Sequence, residues 1–592
     1  MKKVTLYLLI HFFAVNTYAQ YYLRGEIKNE KNQPLPFARI FIHSLKLFIN
    51  SGATDGSFGI NTHQLYDSLT IIIDDYEPAT IKVKADEWQK IVLKPTVLSA
   101  SKNPHRLISL TNGYNNDGVG QSFKDDETYF KLVENDFVQA DAHSKTAFSL
   151  NVNKASYSNV RRFINMSSEV PPDAVRVEEL LNYFNLNYKE PINPARIFNI
   201  ESKLTSCPWD SKEQLLFINV SAKKIDLKNI PPGNFVFLID VSASMDLPNR
   251  LDLIKSAFQL FVKNIRPIDS VSIVTYGEKV EVALQKTPGS NKQKILAVIE
   301  NLQPAGETPG EMGIKIAYQM ALKGFIKGGT NRVILATDGD FNVGESSEKG
   351  LEELMLNQRQ TGIYLTILGV GVGNLKDSKL QTLAKKGNGN YAYLDDINEA
   401  QKVFVKELTQ TLYAVADNVS MSVHFNPGIV KKYRLIGFDN KKEAIISNDK
   451  FLEGGEIGSG SSVMAIFEIM PNEKKGAEMN KLDELAKLTL RFKSGLDSSI
   501  KKEVFSALNN PCLLDSAENY YQFAAAVTMF ALKLKQSKYF KNGNWLMIES
   551  LANHSADKSN YLQSDFLKII EKTKKIYKEP INRRNKKRFI LF

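Results

Sequence analysis

The chain has 592 residues, of which 43% are hydrophobic and 24% charged, and its formal net charge is +11. This composition is typical of a folded globular protein and excludes a disordered or fibrous one. The two cysteines, Cys207 and Cys512, exclude a disulfide scaffold and a thiolate cluster for zinc or iron–sulfur. Acidic and basic residues are interspersed without a basic, aromatic face, so we predict no nucleic-acid site.

The first 19 residues have the three parts of a signal peptide. Lys2 and Lys3 precede an apolar run over residues 4–15, and Ala19 is a small residue at a suitable cleavage position. The run is too short to span a bilayer as a helix, and no cysteine lies near the cut to carry a lipid anchor. We therefore expect an exported mature chain, in the periplasm or cell envelope, without a transmembrane segment.

Residues 20–96 alternate short β-type runs with turn signals, which predicts a small antiparallel β-sandwich. The segment resembles the carboxypeptidase regulatory-like domain, a transthyretin-like module, at Gln33–Pro36, Thr54–Phe58 and Tyr76–Pro78. Asp75 stands where that family usually has a glycine. The resemblance implies a structural or recognition module, and the sequence has no H-E-x-x-H peptidase motif.

The middle of the chain predicts a linker, an accessory region and then an α/β domain. Residues 97–136 are rich in Ser, Asn, Gly and Asp, as linkers are, and residues 137–232 combine short strands and helices. From 233 to 412, strands alternate with amphipathic helices, the last of which is predicted over 397–412. The strand runs are almost continuously apolar: Phe235–Ile239, Val271–Thr275, Val333–Ala336 and Ile363–Leu368. This alternation predicts a doubly wound α/β domain with a parallel sheet.

Oxygen-bearing side chains follow the predicted strands of this domain. Asp240, Ser242 and Ser244 follow the first strand, Thr308 precedes a later helix, and Asp338 follows another strand. In such sheets ligands bind at the carboxyl ends of the strands. An oxygen-only donor set favours Mg²⁺, and Mn²⁺ or Ca²⁺ less well. A polar turn that caps a helix is the simpler explanation of the D-x-S-x-S string taken alone.

Residues 233–412 resemble the von Willebrand factor type A (VWA) domain with its metal-ion-dependent adhesion site (MIDAS). The resemblance rests on three separated pieces: the D-x-S-x-S string, the Thr308 loop and Asp338. The resemblance implies that Ser242, Ser244 and Thr308 contact the metal, and that Asp240 and Asp338 bind it directly or through water. Ala243 stands where glycine is common, which removes no oxygen ligand.

The flanks resemble the accessory and C-terminal regions of a family of exported bacterial VWA proteins. The supporting runs are Asn153–Arg162, Pro171–Glu179 and Cys207–Trp209, with Phe523–Val527 near the other end. Residues 413–592 predict a β region, then helices, then a basic tail at 583–588 that is suited to a peripheral envelope contact. The predicted architecture is therefore multidomain, with α+β regions on both sides of the VWA domain.

The donor set predicts binding rather than catalysis, because hydroxyls without a histidine base are poor hydrolytic machinery. We expect a non-enzymatic protein that captures an Asp or Glu side chain of a partner protein at the metal. The alternative is an envelope assembly scaffold or chaperone-like factor whose VWA domain is structural and metal-independent. A hydrolase acting on envelope polymer is a third, weaker alternative.

Overall fold

The computed structural model describes residues 21–30, 32–35, 38–45, 47–51, 56–62, 64–73, 76–94, 127–226, 228, 230–247, 249–306, 310–339, 361–439, 454–472, 483–494 and 499–577. The chain forms two compact units, residues 1–113 and 114–592. The predicted signal peptide, residues 97–126 of the predicted linker and the basic tail lie outside the described residues. No helix within the described ranges is long and apolar enough to cross a membrane.

Seven strands make up the described part of the first unit: β1 (Tyr21–Asn29), β2 (Arg39–Ile42), β3 (Leu47–Asn50), β4 (Ser57–Thr62), β5 (Tyr66–Ile72), β6 (Ala79–Lys84) and β7 (Trp88–Leu93). They form two sheets, ordered β4-β1-β7 and β3-β2-β5-β6. Side chains from both sheets, among them Ile27, Ile40 and Ile71, share one apolar core. The antiparallel expectation was wrong for β1 and β7, which pair in parallel because strands from opposite ends of the unit are not joined by a hairpin.

The second unit begins with the accessory region, which contains β8 (Val138–Gln139), β9 (Lys145–Ser149), α1 (Ala155–Asn165), α2 (Val177–Asn182), β10 (Phe198–Ser206) and β11 (Gln214–Ala222). A 3₁₀ turn covers Pro172–Ala174. Almost every residue of α1 is buried, including Arg161 and Arg162. A helix buried on all sides lies inside the unit rather than on its surface.

The α/β domain follows, with β12 (Gly233–Asp240), α3 (Leu251–Asn264), β13 (Ser270–Tyr276), β14 (Val280–Pro288), α4 (Lys292–Glu300), α5 (Gly310–Lys323), β15 (Thr330–Thr337), β16 (Tyr364–Gly369), α6 (Asp377–Lys386), β17 (Tyr391–Tyr393), α7 (Ile397–Gln401) and α8 (Leu408–Leu412). A π-helical turn, Lys402–Lys406, separates α7 from α8, so the single helix expected over 397–412 is interrupted.

The sheet of this domain has the order β14-β13-β12-β15-β16-β17. Every pair is parallel except β13 with β14, so the expectation of a wholly parallel sheet was wrong at this edge. The cause is the three-residue connection between Tyr276 and Val280, since only antiparallel strands can be joined by so short a turn. The central strand β12 is buried on both faces, where Phe237 stacks on Phe258 of α3 and Leu238 packs with Ala317 of α5.

The rest of the chain adds β18 (Ala414–Phe425), β19 (Val430–Leu435), β20 (Gly455–Gly458), β21 (Ser462–Pro471), β22 (Glu484–Lys493), β23 (Lys501–Leu508), β24 (Pro511–Cys512), α9 (Asn519–Leu534), α10 (Trp545–Ser555) and α11 (Tyr561–Ile576). These strands pair with the accessory region: one sheet has the order β24-β10-β11-β21-β19-β8, and β9 pairs with β18 in the other. The accessory and C-terminal regions therefore build their sheets together.

Arginines of the accessory region join it to the α/β domain. The Arg161 guanidinium donates to both carboxylate oxygens of Asp395, at 2.7 and 2.6 Å, and to Glu399 at 2.8 Å. Arg176 bridges Glu179 of its own region and Asp377 at the start of α6, at 2.6 and 2.7 Å. Buried, multiply hydrogen-bonded charge pairs are costly to break, so these contacts fix the position of the α/β domain.

Candidate metal centre

The carboxyl ends of two neighbouring parallel strands bring the first two predicted site residues together. Strand β12 ends at Asp240, and β15 beside it ends at Thr337, immediately before Asp338. Both aspartate side chains are completely excluded from solvent. Because parallel strands point their carboxyl ends to one edge of a sheet, two residues that are 98 positions apart in sequence meet there.

The D-x-S-x-S string curls around the end of β12. The Ser242 N–H donates to Asp240 Oδ1 at 2.9 Å, and the Ser242 and Ser244 hydroxyl oxygens are 3.1 Å apart. The chain turns here because Ser242 is extended and a 3₁₀ turn over Ala243–Asp246 follows it. Two hydroxyls are thus presented on the same side, beside a carboxylate.

The Asp240 carboxylate has a perturbed ionisation. Burial, reinforced by the nearby Asp338 charge, raises the pKa of Asp240 to about 6, although hydrogen bonds from Ser242 and Thr337 oppose this change. Thr337 Oγ1 donates to Asp240 Oδ2 at 2.9 Å, a contact that the sequence analysis did not identify. A buried carboxylate flanked by hydroxyl oxygens suits a hard divalent cation, which would stabilise its ionised form. The residues therefore fit the metal that the sequence predicted.

Thr308, the fifth predicted ligand, lies outside the described residues, as do its neighbours Glu307 and Pro309. The chain on either side of this gap is described. The Gly306 carbonyl accepts a hydrogen bond from the Ala243 N–H at 2.9 Å, and α5 begins at Gly310. Gly306, the last described residue before the gap, is thus hydrogen-bonded to the D-x-S-x-S turn, and the role of Thr308 stays a prediction.

A buried arginine at the site was missed from the sequence. Arg250 Nη1 donates to Asp338 Oδ2 at 2.6 Å and to the Ser244 carbonyl oxygen at 2.8 Å. Its Nη2 donates to Asn374 Oδ1 at 2.8 Å and to the Val372 carbonyl oxygen at 3.1 Å. The one signal in the sequence was that a charged residue lies directly before α3, and charged residues are usually solvent-exposed.

A chain of contacts connects this centre to the accessory region. Arg162 on α1 forms a bidentate ion pair with Glu127, through hydrogen bonds of 2.7 and 2.8 Å. Glu127 Oε1 also accepts from the Gly373 N–H at 2.8 Å, in the loop that holds Asn374. Burial alone would raise the pKa of Glu127, but Arg162 outweighs it and the pKa is lowered. The end of the predicted linker thus anchors one wall of the site.

The described residues include a second group of possible ligand atoms, from Cys207, Glu213 and Glu468, that lie within 4.8 Å of one another. Burial raises the pKa of the Cys207 thiol well above its usual value. Glu468 already pairs with Arg434 and accepts a hydrogen bond from the Trp209 indole. A metal here would have to displace both partners, so we assign no site to this group.

The mixed α/β sheet and the turn at its carboxyl edge define the class of protein. The family model for the von Willebrand factor type A domain matches residues 235–340, and a model described as von Willebrand factor matches residues 123–217. A third, described as the C-terminal region of the uncharacterized protein YfbK, matches residues 410–576. The protein is therefore a VWA-domain protein.

The particular family follows from the relatives. The chain is 37% identical over 468 residues to the uncharacterized protein YfbK of Escherichia coli K12, which covers 75% of this chain and 80% of that protein. The chain belongs to the YfbK family of VWA-domain proteins. It is 21% identical over 322 residues to the uncharacterized protein sll0103 of Synechocystis, covering 50% of this chain and 74% of that one.

Solved structures show a more distant likeness. A von Willebrand factor type A protein from Catenulispora acidiphila superposes with a TM-score of 0.40 and 14% sequence identity, covering 65% of this chain and 91% of that chain. This likeness is too low to bear on the function of the protein.

Proposed function

We propose that the protein is a non-enzymatic, metal-dependent protein-binding protein of the bacterial cell envelope. In this proposal Asp240, Ser242, Ser244, Thr308 and Asp338 hold Mg²⁺, and the ion captures an Asp or Glu side chain of a partner. The observation that carries it is the pair of serine hydroxyls 3.1 Å apart beside the solvent-excluded Asp240 carboxylate. Export follows from the predicted signal peptide, and the first unit would serve positioning or recognition.

The donor chemistry favours capture over hydrolysis. Hydroxyl oxygens carry no formal charge, so a divalent ion among them keeps much of its attraction for an anion. Mg²⁺ prefers six oxygen ligands, and a carboxylate from a partner would complete that number. The proposed donor set includes no histidine or activated nucleophile of the kind that hydrolytic sites need.

Exposed apolar side chains close in sequence to the predicted ligands support a protein partner. Leu247, in the turn after Ser244, is 54% exposed, and Met312, in the first turn of α5, is 54% exposed. Large exposed apolar residues around a polar centre are typical of protein interfaces, where Met is enriched and apolar contact supplies affinity. A partner with apolar residues next to its acidic side chain would suit this surface.

Metal binding is the first test. Isothermal titration of the mature chain with Mn²⁺ and Mg²⁺ should show one site, and the double variant Ser242→Ala/Ser244→Ala should weaken binding at least tenfold. Ser256→Ala is the matched control, because the Ser256 hydroxyl donates to the Asp252 carbonyl oxygen of its own helix, α3. No metal binding by the wild-type chain, or equal binding by the double variant, would refute the metal-dependent function.

Partner capture is the second test. A photocrosslinking residue at position 247, which is exposed beside the site, should trap a partner in intact envelopes when Mg²⁺ is present. The adduct should disappear with EDTA and in the Ser242→Ala/Ser244→Ala background, but persist with Ser256→Ala. An adduct that is equally strong with and without chelator would instead support the metal-independent scaffold.

A further inference from the structure

Arg250 places a fixed positive charge inside the proposed metal site. Its side chain is 4% exposed and pairs with Asp338, whose side chain is fully buried. The preceding residue, Asn249, has a φ of +60°, a left-handed conformation that Asn adopts more readily than most residues. This turn directs the start of α3 back toward the ends of β12 and β15.

The contacts of Arg250 span three loops of the site. It binds the Ser244 carbonyl after β12, Asp338 after β15, and the Val372 carbonyl after β16. Asn374 joins the same group, since its amide donates to Asp338 Oδ2 at 3.0 Å while its own oxygen accepts from Arg250 at 2.8 Å. The guanidinium therefore connects the walls of the site through bonds that involve no metal.

The charge balance has a functional consequence. Asp240 and Asp338 alone would give the site a formal charge of minus two, and a divalent cation would make it neutral. With Arg250 the site carries minus one, and the loaded site carries plus one. In a buried place this difference is poorly screened, whereas the charge of Asp246 on the exposed rim is screened by water.

We propose that Arg250 is a specificity-determining residue that lowers the affinity of the site for divalent cations and makes the loaded site a stronger receptor for an anionic partner group. The inference rests on the proposed function of the same site and adds how its affinity is set. Metal occupancy and partner capture are then linked, because a partner carboxylate neutralises the loaded centre and so stabilises the bound ion.

The test measures Mn²⁺ affinity by isothermal titration on the mature chain. Arg250→Gln removes the charge but keeps a donor for Asp338, and we expect Mn²⁺ to bind 10- to 100-fold more tightly than in the wild type. Arg250→Lys keeps the charge and should stay within threefold. The matched control is Arg266→Gln, because Arg266 pairs with Asp269 and with the carbonyl oxygens of Ile230 and Pro231, near the amino end of β12.

A second variant covers the case in which Arg250→Gln does not fold. Asn374→Asp keeps the acceptor for Arg250 and replaces the amide that donates to Asp338 Oδ2 with a carboxylate. This adds a negative charge to the site, so the variant should also tighten Mn²⁺ binding at least fivefold. Unchanged or weaker Mn²⁺ binding in the folded variants would overturn the role of Arg250 while the proposed metal site stands. If the wild type and all variants bind no Mn²⁺, the proposed function itself fails.

The effect of Arg250 on partner capture is tested with the photocrosslinking residue at position 247. At saturating Mn²⁺ the Arg250→Gln chain should yield at least fivefold less adduct than the wild type, although more of it holds metal. A merely structural role of Arg250 would lower adduct and metal affinity together. Equal adduct yield at equal metal occupancy would overturn the second half of the inference.

Discussion

The ion pair between Arg332 and Glu456 should carry much of the attachment of the C-terminal region to the VWA sheet. Arg332 lies on β15 and Glu456 on β20, and both side chains are no more than 2% exposed. Two hydrogen bonds join them, at 2.9 and 2.8 Å, and Thr366 on β16 accepts a third from Arg332. The pair is therefore suited to a double-mutant cycle.

Removing one partner leaves a buried charge without compensation. The expected cost of Arg332→Met or Glu456→Met alone is about 3–5 kcal/mol in the free energy of unfolding. Replacing both should cost no more than about 2 kcal/mol, because no uncompensated charge remains and the losses are hydrogen bonds to Thr366, the Leu412 carbonyl oxygen and Asn390. The double variant should therefore be more stable than either single variant.

The measurement is urea unfolding followed by tryptophan fluorescence. Trp209 and Trp545 are buried in the second unit, and Trp88 is half-exposed in the first, so a Trp88→Phe background confines the signal to the second unit. Lys189→Met, which breaks a surface pair with Glu201, should cost less than about 1 kcal/mol. Single variants within about 1 kcal/mol of the wild type, with costs that simply add, would refute the reasoning.

Three further predictions concern other parts of the chain. Burial, with help from the charges of Glu468 and Asp210, raises the pKa of Glu213 from 4.5 to about 7. The free energy of unfolding should therefore fall as the pH rises between those values, and at pH 8 Glu213→Gln should be more stable than the wild type by about 1–2 kcal/mol, allowing for solvent screening. A stability difference that does not change with pH would count against this. Gly306 has a φ of +75°, and an added Cβ would lie 2.2 Å from the Glu278 Cα. Gly306→Ala should therefore lower the free energy of unfolding by about 1–3 kcal/mol and weaken Mn²⁺ binding. The control is Gly362→Ala, with a φ of +77° and no atom nearer than 3.8 Å to the added Cβ, which should leave Mn²⁺ binding unchanged. Mass spectrometry of the chain from its native envelope should find Gln20 as the amino terminus; an intact Met1 would show that the predicted signal peptide is not removed.

The strand ends were accessible to sequence reasoning, while side-chain partners across the fold were not. The four strand runs predicted for the VWA domain coincide with observed strands, apart from Ile363, which lies one residue before β16. They were predictable because strands covered on both faces have to be apolar. The edge strand β14 was missed, since it is only partly buried and its pattern is mixed. The interruption between α7 and α8 was missed because Lys402, a residue type that is normally exposed, is buried there against Glu407.

The linker prediction shows the same limit. Residues 127–136 have no regular secondary structure, as the composition indicated, yet Asn135 is buried and its amide donates to the Leu435 and Gly437 carbonyl oxygens at 3.1 and 2.8 Å. Composition predicts whether a segment forms a helix or strand, but it does not predict which backbone groups, distant in sequence, a side chain will contact.

The amino-acid sequence was sufficient to predict the α/β alternation, the membership of a VWA family, and the position of Asp240, Ser242, Ser244 and Asp338 at strand ends. These features depend on local periodicity and on spacing within one turn, and both can be read directly from the sequence. The pairing of Arg250 with Asp338, and the sheets that accessory and C-terminal strands share, are visible only in the folded chain. Such contacts join residues 88 or more positions apart, and their energy depends on burial and charge at a place that exists only once the chain has folded.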